Sequence, residues 1–182
     1  MNNELVQAIN KWREVPVGCS GRENLDETDM FWQLVFAREP KLRFPSGKLV
    51  FRIHRGGYEE PRLEDFSDWR ERGASSQYDL FNNFHKEWEN TKDPSKIRFD
   101  NHWVSFTKNP KHFLDSYYEV KGLRGLAIVL STSKAVDISS IHVWGNVQDE
   151  QEVVAPLDKA QVVEILPFAK FKEQYCKSKS EE

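Results

Sequence analysis

Apolar positions recur with two different periods along this chain, and the switch between them divides it. Up to about residue 39 the spacing is helical. Leu5, Val6, Ile9 and Trp12 recur within residues 3–14, and Met30, Phe31, Leu34 and Val35 share one face of a second predicted helix over 26–39. The stretch EPKLRFPSG is turn-rich and closes this opening. From Lys48 the period shortens to two. KLVFRIHRGG predicts a strand with Leu49, Phe51 and Ile53 on one face, continued by Arg55, and Val50, Arg52 and His54 on the other.

Residues 59–75 carry no period and read as an irregular loop. QYDLFNNFHKEW returns to helical spacing through Tyr78, Phe81, Phe84 and Trp88, and HWVSF is a short strand. In NPKHFLDSYYEV, Asn109 is placed to cap a helix with Pro110 at its first position. GLAIVLS, EVVAP and AQVVEILPF are apolar and short enough to be core strands. The charged tail from Ala169 is expected to fray. Helices first, then a strand-rich remainder with intervening helices, is an α+β layout. The expected organisation is one domain over 1–182: a helical N-terminal layer over 1–46, a mixed β core over 47–168, and the tail over 169–182.

Composition narrows the function classes. At 182 residues the chain can bury a substantial core, and its net charge of −3 argues against a general binder of phosphate backbones, a local basic patch aside. Cys19 and Cys176 form no disulfide framework and fit a reducing compartment. The N-terminal MNNELVQAINKWREV has charges where a signal peptide needs an apolar run, and no stretch approaches the length of a bilayer span. A cytoplasmic protein without a membrane partner is the expectation. No GxGxxG, Walker-type loop or GxSxG is present, GCSG at 18–21 reads as a turn, and the histidines form no HxxxH pair. No metal site is expected.

Three short pieces stand out. In DEQEVVAP, Glu150 and Glu152 are spaced to share one strand face with Val154. Two adjacent carboxylates repel unless solvent or a cationic ligand offsets them, so the pair is either a solubilising strand edge or part of a cleft. Arg55, followed by Gly56 and Gly57, either leans out of a strand end or aims its guanidinium fork at a phosphate, with the glycines allowing close approach. In WVSFTKNP, Ser105 and Thr107 are either ordinary hydroxyls where a strand meets a cap or donors to a neighbouring carboxylate.

Taken in order, an arginine on an early strand, Ser-x-Thr on a middle one and Glu-x-Glu heading a late one resembles the mono-ADP-ribosyltransferase family, in its arginine–serine–glutamate, toxin-like branch. IHRGG is similar to that branch's strand-end Arg-Gly, VSFTKNPKHF to its Ser-Thr-Ser stretch and following helix, and EQEVVAP to its Glu-x-Glu followed by aliphatics and proline. The resemblance covers residues 47–168; Phe106 and Thr107 stand where the family shows Thr then Ser, and His54 where an aromatic is common.

The resemblance implies a two-sheet core and a reaction in which the nicotinamide–ribose bond of NAD, the substrate, breaks and ADP-ribose passes to a nucleophile. By carry-over, Glu152 holds the ribose hydroxyl and stabilises an oxocarbenium-like transition state. Ser105 orients Glu152, and Ser105 and Thr107 count with Arg55 and Gly56 among the NAD-binding residues. Arg55 grips the phosphates, Gly56 meets the nicotinamide amide, and Glu150 meets the acceptor, a glutamate there accompanying arginine acceptors. Residues 139–149, with Trp144, would form the acceptor loop. The implied partner is a macromolecular acceptor, a protein ahead of a nucleic acid, and a toxin-like role would bring an antitoxin or inhibitor protein. Three alternatives stay open: an NAD glycohydrolase, transfer to a nucleic acid, and a non-catalytic partner-binding domain.

Overall fold

The computed structural model describes residues 3–14, 25–54, 63–90, 94–97, 99–115, 125–141 and 151–177. Over these residues the protein is mixed α/β, with a six-stranded antiparallel sheet and four α-helices. The helices are α1 (Asn3–Glu14), α2 (Leu25–Arg38), α3 (Gln77–Asn90) and the short α4 (Phe168–Phe171). The strands are β1 (Leu49–His54), β2 (Trp103–Thr107), β3 (Leu126–Ser131), β4 (Val136–Asp137), β5 (Glu152–Pro156) and β6 (Val162–Pro167). They lie in the order β4-β5-β2-β1-β3-β6. The mixed sheet expected from the alternation of strands and helices is thus antiparallel: β2 with β5, β4 with β5 and β3 with β6 all pair in that sense.

The chain clusters into two compact units, each assembled from three separate segments. The first takes residues 1–50, 99–109 and 131–161. Its core is Ile9 of α1, Trp32 and Val35 of α2, Leu42, Trp103 of β2, Val136, Ile138, Ile141 and Val154 of β5. Trp32 stacks on Trp103 with ring centroids 6.5 Å apart and planes 17° from parallel. Proline at 40 cannot continue α2, and the carbonyls freed at its end are taken by Arg43, whose Nε donates to Phe36 O (2.8 Å) and Nη2 to Ala37 O (3.2 Å). The Arg43 segment also bridges to Val136 and its neighbour Phe44 donates to Ala135 O, so the short strand β4 is covered on its outer side.

The α2 face expected from sequence is corrected here. Trp32 is wholly buried, whereas Met30 and Leu34 are 60% and 48% exposed. Both stripes satisfy helical spacing; the flat surface of Trp103 selects the one that presents an indole.

The second unit takes residues 51–98, 110–130 and 162–182. Serine at 76 caps α3, accepting from the Asp79 amide while its hydroxyl donates to the Asp79 carboxylate. On that helix Phe81 packs edge-on to Phe66, but Tyr78 is exposed, and the side chains of Phe84 and Trp88, like that of Trp12, lie outside the described set. The helix expected after Asn109 is a single 3-10 turn, Pro110–Leu114. The tail does not fray at Ala169: α4 and a five-residue π-helical turn (Lys172–Cys176) bury Phe171 among Phe51, Phe113 and Tyr175. The Tyr175 hydroxyl donates to Glu164 of β6; burial first, then that carboxylate, pushes the phenol up to about 12. Cys176 is buried and unpaired, its thiol donating to Pro110 O. Cys19 lies outside the described residues.

Candidate functional site

The site is built on the β2–β5 pair of the first unit. Its register sets Trp103 opposite Pro156, Ser105 opposite Val154 and Thr107 opposite Glu152. Residues directly opposite each other in an antiparallel pair point to the same face, and every second residue returns to it. Ser105, Thr107, Glu152 and Val154 therefore share one face, with Trp103 further along it. Two motifs separated by more than forty residues of sequence meet side by side. This is the same face that α2 covers at its Trp103 end.

Glu152 is the first residue of β5 and only 8% exposed; Thr107 is 4% exposed. Glu152 and two threonines, Thr107 and Thr132, are the buried polar side chains among the described residues. A carboxylate removed from water is costly unless its surroundings compensate it, and this one stands at the head of an otherwise apolar strand. The Thr107 hydroxyl closes a small turn, accepting from the Asn109 amide (3.0 Å) and donating to the Asn109 carbonyl (3.3 Å). That turn ends β2 beside the head of β5.

The backbone around Glu152 is held from both sides. The Lys108 amide donates to Gln151 O (3.2 Å) and the Ile138 amide to Glu152 O (3.1 Å). Gln151 has φ of +46°, in the left-handed region that few non-glycine residues adopt. This changes the reading of the acidic pair. Glu150 and Glu152 share a strand face only if the backbone through Gln151 is extended, but β5 begins at Glu152 and the left-handed Gln151 precedes it. Strand alternation accordingly does not reach Glu150.

Glu150 itself, Arg55, Gly56 and residues 142–149 of the expected acceptor loop, Trp144 included, lie outside the described residues. The structure thus brings together Ser105, Thr107 and Glu152. Arg55 and Gly56 follow directly on β1 in sequence.

On the opposite face of β2 lies a polar cluster that sequence reading missed. Lys108 Nζ donates to Asp137 Oδ2 and to Ser139 Oγ, each at 2.8 Å, and the Ser139 amide and hydroxyl donate to Asp137 Oδ1. Burial pushes the Asp137 carboxyl up, but the bonds from Lys108 and Ser139, with the Lys108 charge, more than offset it and hold the group below its ordinary value. The signal available was Asp-x-Ser in VDISS, where an aspartate accepts from the amide two residues on. Among the described residues no group of histidine, cysteine and acidic side chains is arranged to hold a metal ion, and no helix is long and apolar enough to cross a membrane.

Comparison with known protein families, curated proteins and solved structures finds no match to this chain. The chemistry must be argued from the residues. A mostly buried carboxylate flanked by hydroxyl-bearing residues, on a backbone pinned at both neighbouring peptides, can accept hydrogen bonds from a sugar hydroxyl or sit beside a developing cation.

Proposed function

We propose that the protein is an NAD-dependent mono-ADP-ribosyltransferase that breaks the nicotinamide–ribose bond and transfers ADP-ribose to a macromolecular acceptor, with a protein arginine as the acceptor group. The observation that carries this reading is the register that sets Thr107 opposite Glu152 with Ser105 on the same face. Ser-x-Thr and the Glu152 of Glu-x-Glu are pieces of one constellation on sequence, and Thr107 and Glu152 stand opposite each other on adjacent strands. We also propose that this sheet belongs to a core of ADP-ribosyltransferase type.

In this mechanism Glu152 accepts a hydrogen bond from a hydroxyl of the nicotinamide ribose and faces the positive charge that grows as nicotinamide departs. Ser105 sets the carboxylate's orientation, and Thr107, whose hydroxyl is bonded to Asn109, fixes the end of β2 beside it. Arg55 and Gly56 bind the phosphates and the nicotinamide amide, and Glu150 draws the acceptor guanidinium in and helps remove its proton. The burial of Glu152 keeps its charge effective, because few water molecules screen it.

The test is incubation of isotope-labelled NAD with the purified protein and cell lysate, with products separated into protein, RNA and DNA. Label in the protein fraction, lost with Glu152→Gln, is the expected result. Label in a nucleic-acid fraction would move the acceptor to that class, and release of free ADP-ribose alone would make the enzyme a glycohydrolase. Intact NAD in every fraction, with no thermal shift on adding it, would overturn the enzymatic reading in favour of a binding domain.

A further inference from the structure

We propose that Lys108 is a positioning residue for Glu152, bracing through its own amide and its ammonium group the two peptide oxygens on either side of the Glu152 Cα. The inference rests on the transferase reading above for its catalytic consequence, but its geometry stands alone. The first oxygen, Gln151 O, accepts directly from the Lys108 amide at 3.2 Å. The second, Glu152 O, accepts from the Ile138 amide at 3.1 Å. Ile138 lies between the two residues that the Lys108 ammonium grips, Asp137 and Ser139, each at 2.8 Å. One side chain thus fixes the donor that holds the second oxygen, while its backbone holds the first.

The brace and the carboxylate lie on opposite faces. Asp137 pairs with Val153, whereas Glu152 faces with Thr107. Lys108 therefore sets the position of Glu152 through the main chain without touching its side chain. The left-handed Gln151 gives this a consequence: at φ of +46° it sits in a conformation unfavourable for glutamine, and release of either oxygen frees it to return to extended backbone. Such a change at the residue before Glu152 would swing the strand head and carry the carboxylate out of register with Ser105 and Thr107.

A nucleophile-and-base role for Ser139 and Lys108 fits less well. The ammonium donates to the Ser139 oxygen, and the Ser139 hydroxyl proton is directed at Asp137. The hydroxyl proton points away from the lysine, so the arrangement is a brace.

The experiment compares wild type, Lys108→Met and Lys108→Arg by amide hydrogen exchange and by nicotinamide release from NAD. In Lys108→Met the Ile138 amide is expected to exchange about tenfold faster. Its kcat should fall about 10- to 100-fold, with KM for NAD within about twofold, because misplacement of a reacting group weakens the transition state more than substrate binding. Lys108→Arg restores a donor to Asp137 and should recover most of kcat, which lost packing alone would not explain. Unchanged exchange in Lys108→Met overturns the brace. Faster exchange with unchanged kcat overturns its positioning role. Wild type inert toward NAD refutes the transferase reading and the catalytic half of this proposal together, and the exchange rates still decide the brace. Should Lys108→Met fail to fold, Ser139→Ala carries the same test, with about threefold effects expected from removing one of the two acceptors.

Discussion

The two ends of the β2–β5 pair are held in different ways. At the Trp103 end the hold is side-chain packing: Trp103 stacks on Trp32, Phe36 leans on it at 6.3 Å, and the Lys134 ammonium lies 5.5 Å above its ring. At the Glu152 end, backbone hydrogen bonds from Lys108 and Ile138, backed by Lys108, Asp137 and Ser139, do the holding. Aromatic packing lowers the energy of the fold through the very side chains it uses. A main-chain brace holds a strand end without using the side chain it positions, and the one positioned here is the Glu152 carboxylate. The contrast separates a part of the strand pair that serves stability from a part whose side chains do not.

Removing the packing at one end gives the largest expected effect. Trp32→Ala empties a fully buried indole site and should destabilise the protein by about 3–5 kcal/mol in denaturant unfolding. A loss under about 1 kcal/mol would mean that the N-terminal helices do not anchor this sheet. The complementary change at the other end is Glu152→Gln, which keeps the shape and removes the charge. It should abolish NAD cleavage by a factor of about 10²–10³, or about 3–4 kcal/mol of barrier. Its stability should change by less than about 1 kcal/mol, because the amide keeps the shape of the side chain. A stability loss as large as that of Trp32→Ala would erase the contrast.

How much of this was legible in sequence differs between the two ends in the same way. The strands were, because alternation and β-branched runs fix them locally: HWVSF and EVVAP match β2 and β5 closely, and AQVVEILPF contains β6. The partner of β5 was not legible, since nothing local in Thr107 says that Glu152 lies opposite. The face of α2 was misread in part, Val35 being buried as expected, because Met30, Phe31, Leu34 and Val35 recur at helical spacing as well as Phe31, Trp32, Val35 and Phe36 do, and a rotation of roughly one residue, about 100°, interchanges the two faces. Only the surface presented by Trp103 decides. The left-handed Gln151 left no trace, since glutamine is not a residue type that signals positive φ. The tail was misjudged on charge: Lys170, Lys172 and Glu173 surround Phe171, whose burial outweighs them.

A smaller effect is expected at the turn that joins the two faces of the site. Thr107→Val keeps the branched shape but removes the hydroxyl that bonds the Asn109 amide and carbonyl. The cost should be about 1 kcal/mol in unfolding, with NAD cleavage falling severalfold as the end of β2 loosens. If cleavage falls as far as in Glu152→Gln with stability unchanged, Thr107 bonds the reacting groups directly and the turn is incidental.

The smallest expected effect concerns pH, and it isolates the charge in the brace. The Asp137 carboxyl is held below its ordinary value of 3.8, burial opposing and the bonds from Lys108 and Ser139 favouring the ionised form. A group whose folded-state pKa is depressed contributes stability above its unfolded pKa and loses it as pH falls through the folded value. The contribution is therefore complete from about neutral pH down to the ordinary carboxylate range and disappears only in stronger acid. Because Lys108 and Asp137 are 32% and 24% exposed, the pair should be worth no more than about 1 kcal/mol. Asp137→Asn should lower stability by that amount at pH 7, and the difference from wild type should vanish as the pH drops below the folded-state pKa of Asp137. Unfolding measured in urea between pH 7 and the acid limit of folding checks this. A gap that persists in acid would mean that the asparagine disturbs packing, and the brace would then owe its strength to shape and neutral hydrogen bonds more than to charge.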